Sequence, residues 1–121
     1  MTDIDDKTAH QRGVESENIV RLALQYLCER GFIRAFRQTK RYSKADRRGV
    51  DFFIFFDEKP RMPLQVKSSM KAREIHYHYS HGNERRVPCV VGRGCFMKLA
   101  GIIRREIHDY FRGGDYGNAT R

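Results

Sequence analysis

The chain has 121 residues, and its 24 lysines and arginines against 15 aspartates and glutamates leave a net charge of +9. Hydrophobic residues make up 40% and aromatics 12%, enough to fill one core and too many for a wholly disordered chain. No apolar run approaches the ~20 residues of a membrane-spanning helix, and the acidic start, Met1 to Asp6, is the reverse of a secretory signal. A single soluble, cytoplasmic domain is expected. Cys28, Cys89 and Cys95 form no CxxC pair, so reduced thiols are expected, with Cys28 acting as a small buried hydrophobe. The basic balance points to a polyanionic partner, because lysine and arginine on phosphates release condensed counterions.

Residues 1–12 are polar and read as a flexible N-terminal segment. Ile19, Val20, Ala23, Leu24 and Leu27 then recur at spacings of three and four, with Leu22 and Tyr26 widening the stripe. This predicts a helix over residues 14–30, with Ser16 as N-cap and Gly31 just past the end. Phe32 to Gln38 alternates apolar and basic residues, as a strand would. Thr39 to Gly49 is a basic loop. Val50 to Phe56 is almost continuously apolar and reads as a strand buried on both faces.

Asp57 to Pro63 holds two prolines and four charged residues, and is a turn. Leu64 to Ser68 fits a short paired strand, while Met70 to Arg86 leaves a helix or a hairpin excursion open. Val87 to Val91 is a further strand. Phe96 to Phe111 is a helix with Leu99, Ile102, Ile103, Ile107 and Tyr110 on its apolar side, and a Gly-rich, flexible tail follows from residue 113. The order α-β-β-β-(variable)-β-α predicts one α/β domain over residues 13–112, a central mixed β-sheet flanked by helices.

Asp51 lies just inside the most hydrophobic strand, where a carboxylate needs a cation or hydrogen bonds to remain ionised. Gln65 and Lys67, two apart on the next strand, leave the same face. If those strands pair, Asp51, Gln65 and Lys67 can converge, and Glu17 can join from the first helix. Such an oxygen-rich site suits Mg²⁺ or Mn²⁺. Asp51 and Glu17 supply charge, and the Gln65 amide and the Val66 carbonyl supply neutral oxygens. The metal would polarise a phosphodiester and activate water, and Lys67 would hold that water and offset developing charge. Glu15 competes with Glu17 for the role of helix-borne acid.

These residues resemble the PD-(D/E)xK nuclease superfamily. The resemblance runs through Gly13-Val14-Glu15-Ser16-Glu17, Gly31-Phe32, Gly49-Val50-Asp51 and Gln65-Val66-Lys67-Ser68. It is similar in order to the archaeal Holliday junction resolvases, and to the Mrr-type restriction endonucleases in having Gln in the (D/E)xK element. It covers residues 12–69 by motif and the rest by element order. The resemblance implies a restriction-endonuclease-like core, metal binding by Glu17 and Asp51, a weaker ligand role for Gln65 and a catalytic role for Lys67. Val50 stands where the literal motif has Pro, and Gln65 removes one negative charge, which lowers the expected metal affinity. The resolvases also use a serine in the loop after the second element; Ser43 and Thr39 both qualify. Asp57-Glu58-Lys59 repeats the DxK spacing but falls in the Pro-flanked turn.

His76, His78 and His81, with Tyr77 and Tyr79, lack the paired spacing of a zinc site and read as an aromatic surface. Val91-Gly92-Arg93-Gly94 is a turn rather than a phosphate loop. The expectation is therefore a metal-dependent endonuclease acting on DNA, branched DNA included, with no small-molecule cofactor. Arg37, Lys40, Arg41, Ser43, Lys44, Arg47 and Arg48 would hold the nucleic-acid backbone, and a homodimer would reach two strands. The competing expectation is a non-catalytic nucleic-acid-binding module that keeps the nuclease fold.

Overall fold

Thr8 opens the first helix, and the description begins with it: this computed structural model describes residues 8–40, 43–44, 49–79 and 87–112. The Thr8 hydroxyl accepts from the Gln11 amide at 3.1 Å while the Gln11 side chain accepts from the Thr8 amide at 2.8 Å, a reciprocal cap that satisfies two otherwise orphan donors. Helix α1 therefore spans Ala9–Glu29 and starts earlier than the hydrophobic stripe indicates. Ala9 to Arg12, expected in the flexible segment, are helical; residues 1–7 and 113–121, expected to be flexible, lie outside the described residues. Ser16 is not the N-cap. It is buried within the helix. At the other end the Gly31 amide donates to Cys28 and the Phe32 amide to Leu27, closing α1 as the Gly31 reading requires.

The remaining elements are β1 (Ala35–Gln38), β2 (Phe52–Phe55), β3 (Met62–Lys67), α2 (Met70–Tyr79), β4 (Cys89–Val91) and α3 (Phe96–Arg112). The strands form one four-stranded sheet in the order β1-β2-β3-β4. The first three are antiparallel, and β4 runs parallel to β3. A parallel pair needs a crossover, and the connection between β3 and β4 contains α2, so the open segment at Met70 resolves as helix over 70–79. The Ser69 hydroxyl starts α2 by accepting the Ala72 amide at 3.1 Å.

The chain is thus an α/β protein with a mixed sheet flanked by helices. Among the described residues no helix is long and apolar enough to cross a membrane.

Alternate residues of β2 and β3 fill the core. Phe52, Ile54, Met62, Leu64 and Val66 are buried with Val20, Ala23, Leu24 and Leu27 of α1 and with Leu99, Ala100 and Ile103 of α3. Leu22 and Ile102, expected on the apolar faces, are exposed, because the α1–α3 contact is narrower than either stripe. Cys28 is half-buried rather than buried. The strand expected from Phe32 begins only at Ala35, and Phe32 is exposed, with the Arg104 guanidinium 3.6 Å from its ring centroid.

Two expectations for the central strands are corrected. The β2 strand is not buried on both faces: Phe53 and Phe55 are half-buried, and among the described residues the Arg37 and Arg61 guanidinium groups lie over their rings. The β3 strand starts at Met62, inside the expected turn, and takes in Pro63. Proline is tolerated because β4 pairs only with Gln65 to Lys67, so no neighbour awaits the missing N–H.

Candidate functional site

The apolar run that makes β2 also brings Asp51 to the strand's first rung, and its carboxylate extends the ladder. The Asp51 amide donates to the Leu64 carbonyl at 2.8 Å. One rung further on, the side chain replaces the backbone: Asp51 Oδ2 accepts the Val66 amide at 2.7 Å. The expected pairing of the Asp51 strand with the Gln65/Lys67 strand is therefore present, and the acid lies against the peptide between those two residues. In a strand, N–H and C=O of one residue leave on the same side. The Gln65 amide and the Lys67 carbonyl bond toward β4, through Pro88 and Gly92, so the Val66 carbonyl faces the Asp51 side together with its N–H.

Gln65 is a buried polar residue. Its carboxamide donates to the Gly49 carbonyl and accepts from Lys67 Nζ at 3.3 Å, an orientation assigned from these partners. Gly49 has φ +83°, and a Cβ there would come within 2.6 Å of the Gln65 carboxamide, so glycine is needed on both counts. Lys67 and Gln65 are thus coupled directly, and both stand beside the Asp51–Val66 bond.

Glu17 reaches the same end of the sheet from α1. Its Oε1 accepts Gln38 Nε2 at 2.9 Å, and Gln38 is the register partner of Phe52, the residue after Asp51. Arg21 approaches the other Gln38 amide atom at 3.5 Å. Glu17 is half-buried and turned to the sheet, whereas Glu15 is exposed. Thr39 spends its hydroxyl on the Val50 carbonyl at 2.8 Å and the Asp51 carbonyl at 3.3 Å. Its role is to pin the Asp51 segment. Ser43 is half-buried, and its amide donates to the Lys40 carbonyl.

Of the residues expected to hold nucleic acid, Arg37, Lys40 and Lys44 are exposed. Arg41, Arg47 and Arg48 lie outside the described residues, as does His81. His76 Nε2 lies 3.0 Å from the Val87 carbonyl and secures α2 to the segment leading into β4, which begins at Cys89 rather than at the expected Val87. In the Val91–Gly94 turn, Gly92 is buried; a Cβ there would lie 2.8 Å from the Ser16 Cβ, so the turn lets α1 approach rather than cradling phosphate.

Three participants escaped sequence reasoning. Gln38 aims Glu17, and nothing in its local pattern distinguishes it. Arg73 donates to the Cys89 carbonyl at 2.8 Å and pairs with Glu106 at 3.4 Å, joining α2, β4 and α3 across a separation the sequence does not reveal. Burial raises the Glu106 carboxyl above the ordinary range, and the Arg73 guanidinium pulls it part of the way back. Cys89 is the register partner of Gln65, and burial pushes its thiol up to about 12 despite Lys67 and Arg73 nearby.

Asp51, the Gln65 amide oxygen and the Val66 carbonyl are oxygen donors of the kind a hard divalent ion takes, whereas Glu17 is held by Gln38 on the core-facing side of the sheet. A carboxylate offers about four lone-pair sites, so the bond to Val66 does not exhaust Asp51. Among the described residues no three His, Cys, Asp or Glu side chains group as metal ligands, so such a site depends on the neutral oxygens of Gln65 and Val66. In comparisons with known proteins, no family model, no curated protein and no solved structure matches the chain.

Proposed function

We propose that the chain is a metal-dependent endonuclease that hydrolyses phosphodiester bonds in DNA, with a restriction-endonuclease-like core of the PD-(D/E)xK type. The observation that carries the reading is the Asp51 carboxylate resting on the Val66 amide, flanked by the coupled Gln65 and Lys67. A pure binder has no use for acids beside a basic surface, since they repel phosphate. The mixed sheet flanked by helices is compatible with the core that the resemblance implies.

In this reading Asp51 and Glu17, with the Gln65 amide oxygen and the Val66 carbonyl, hold Mg²⁺ or Mn²⁺, which supplies Lewis-acid polarisation of the phosphodiester and a more acidic water. Lys67 orients the attacking water by hydrogen bonding and offsets charge on the phosphoryl oxygens as it develops. Gln65 keeps the Lys67 ammonium in place. Arg37, Lys40, Arg41, Ser43, Lys44, Arg47 and Arg48 bind the backbone. A domain this small covers little DNA, so the proposed enzyme acts in the cytoplasm as a homodimer on two strands or on a branched junction.

The test is divalent-dependent nicking of supercoiled plasmid and of four-way junctions. Wild type is expected to cleave with Mg²⁺ or Mn²⁺ and not with EDTA, and Lys67→Ala to lose roughly 100-fold or more, the scale of removing one group that stabilises transition-state charge. Binding without cleavage in any divalent ion would instead support a non-catalytic binding module.

A further inference from the structure

Arg37 and Phe53 are register partners on β1 and β2, so their side chains stand together on the sheet face turned away from the α1–α3 core. Phe55 follows two residues on, on that same face. The Arg37 guanidinium lies 6.0 Å from the Phe53 centroid and 5.7 Å from that of Phe55, and the Arg61 guanidinium lies 4.1 Å from Phe53. Both arginines are exposed, and among the described residues neither pairs with a carboxylate. They are cations held over aromatic rings with their charge unspent. Among the described residues no helix packs on this part of the sheet.

We propose that this aromatic–arginine strip, which adjoins the proposed site of hydrolysis, is a docking surface for unpaired polynucleotide. Charge decides among occupants. A second copy of a chain carrying +9 would set arginines against arginines, whereas a polyphosphate backbone neutralises them and releases counterions. Ring chemistry decides between forms of nucleic acid: aromatic rings and guanidinium planes stack on splayed, unpaired bases, which a duplex keeps inside its own stack. Phe53 follows Asp51 by two residues and pairs with Pro63, two residues before Gln65, so the strip begins ~7 Å from the proposed site along the strand and runs away from it toward Arg61. An unpaired strand bound there leads toward the proposed reaction centre. The proposal rests on the nucleic-acid reading above for its relevance, but not on cleavage.

The test is fluorescence anisotropy of a labelled oligothymidylate of about 20 nucleotides with the full chain in EDTA, so that cleavage plays no part. Arg37→Ala/Arg61→Ala is expected to weaken binding at least tenfold and to reduce the logarithmic salt slope by roughly 1.4, two single-strand phosphate contacts. Arg37→Lys/Arg61→Lys, which keeps both charges without the planar forks, is expected to regain the salt slope but only part of the affinity. Unchanged affinity in the double alanine variant, with its far-ultraviolet circular dichroism intact, would overturn the proposal. So would equal affinity for a duplex of the same length, or a wild-type dimer that the double variant converts to monomer, which would assign the strip to self-association. A chain that binds the oligomer as expected yet never nicks DNA would remove the nuclease reading and leave the strip standing.

Discussion

One strand serves two regions that obey different rules. Along β3, Met62, Leu64 and Val66 enter the core, whereas Gln65 and Lys67 point the other way into the polar cluster. The core residues need only be apolar and of suitable volume, because burial is non-directional and many neighbours share each contact. Each polar residue instead depends on one partner at one distance: Gln65 on Gly49 and Lys67, Asp51 on Val66, Glu17 on Gln38. Removing a core methyl group weakens everything a little. Removing a polar atom disables one task, and the two regions should separate cleanly under mutation.

The largest expected effect on stability lies on the core side. Leu64→Ala should cost about 2–5 kcal/mol in urea denaturation while leaving cleavage per folded molecule intact. A loss of cleavage greater than the loss of folded protein would show that core and cluster are not independent.

On the polar side the order reverses. Asp51→Asn keeps an acceptor for the Val66 amide, so stability should change by less than about 1 kcal/mol while cleavage falls ~100-fold, or ~2.7 kcal/mol of barrier. Asp51→Ala should show the same loss of cleavage and, in addition, about 1–3 kcal/mol of destabilisation, because the Val66 N–H loses its partner. Equal melting temperatures for the two variants would break the claim that this carboxylate supports the ladder.

The thiols give a smaller, chemical version of the contrast. Cys89 is buried with its thiol held at about 12, while Cys95 is exposed and its thiol is lowered by the Lys98 and Met97 amides at the start of α3. At mildly alkaline pH, iodoacetamide should label Cys95 in the folded protein and Cys89 only after denaturant is added, as read by mass spectrometry.

The smallest effect is a pH slope. The folded Glu106 carboxyl is raised, so the folded state binds the proton more tightly than the unfolded chain. Its contribution to stability is then full below the ordinary carboxylate pKa of ~4.3 and is lost as pH rises through the raised value. Glu106→Gln should flatten the melting-temperature profile over that window, and an unaltered slope would assign it to other groups.

The core and the element order were legible because hydrophobic periodicity records which side of a helix or strand is buried. Val20, Leu24, Leu27, Phe52, Ile54 and Ile103 all follow it. The start of α1 was not, since the Thr8–Gln11 cap lies well upstream of the apolar stripe that begins at Ile19. The burial of β2 was overestimated because aromatic side chains covered by arginines carry the same letters as those covered by helices. Within the cluster, the pairing of Asp51 with the Gln65–Lys67 strand followed from strand alternation and a short turn. The partners Gln38, Gly49 and Arg73 did not, because a hydrogen bond between distant residues leaves no periodic trace.

The amide hydrogen of Val66 belongs at once to the scaffold and to the reactive end of the molecule. Whatever draws electron density from the Asp51 carboxylate, a proton or a cation, weakens the grip on that one peptide group without touching the rest of the sheet. Solvent exchange of a single backbone proton near the end of a strand is therefore a built-in gauge of what occupies the carboxylate.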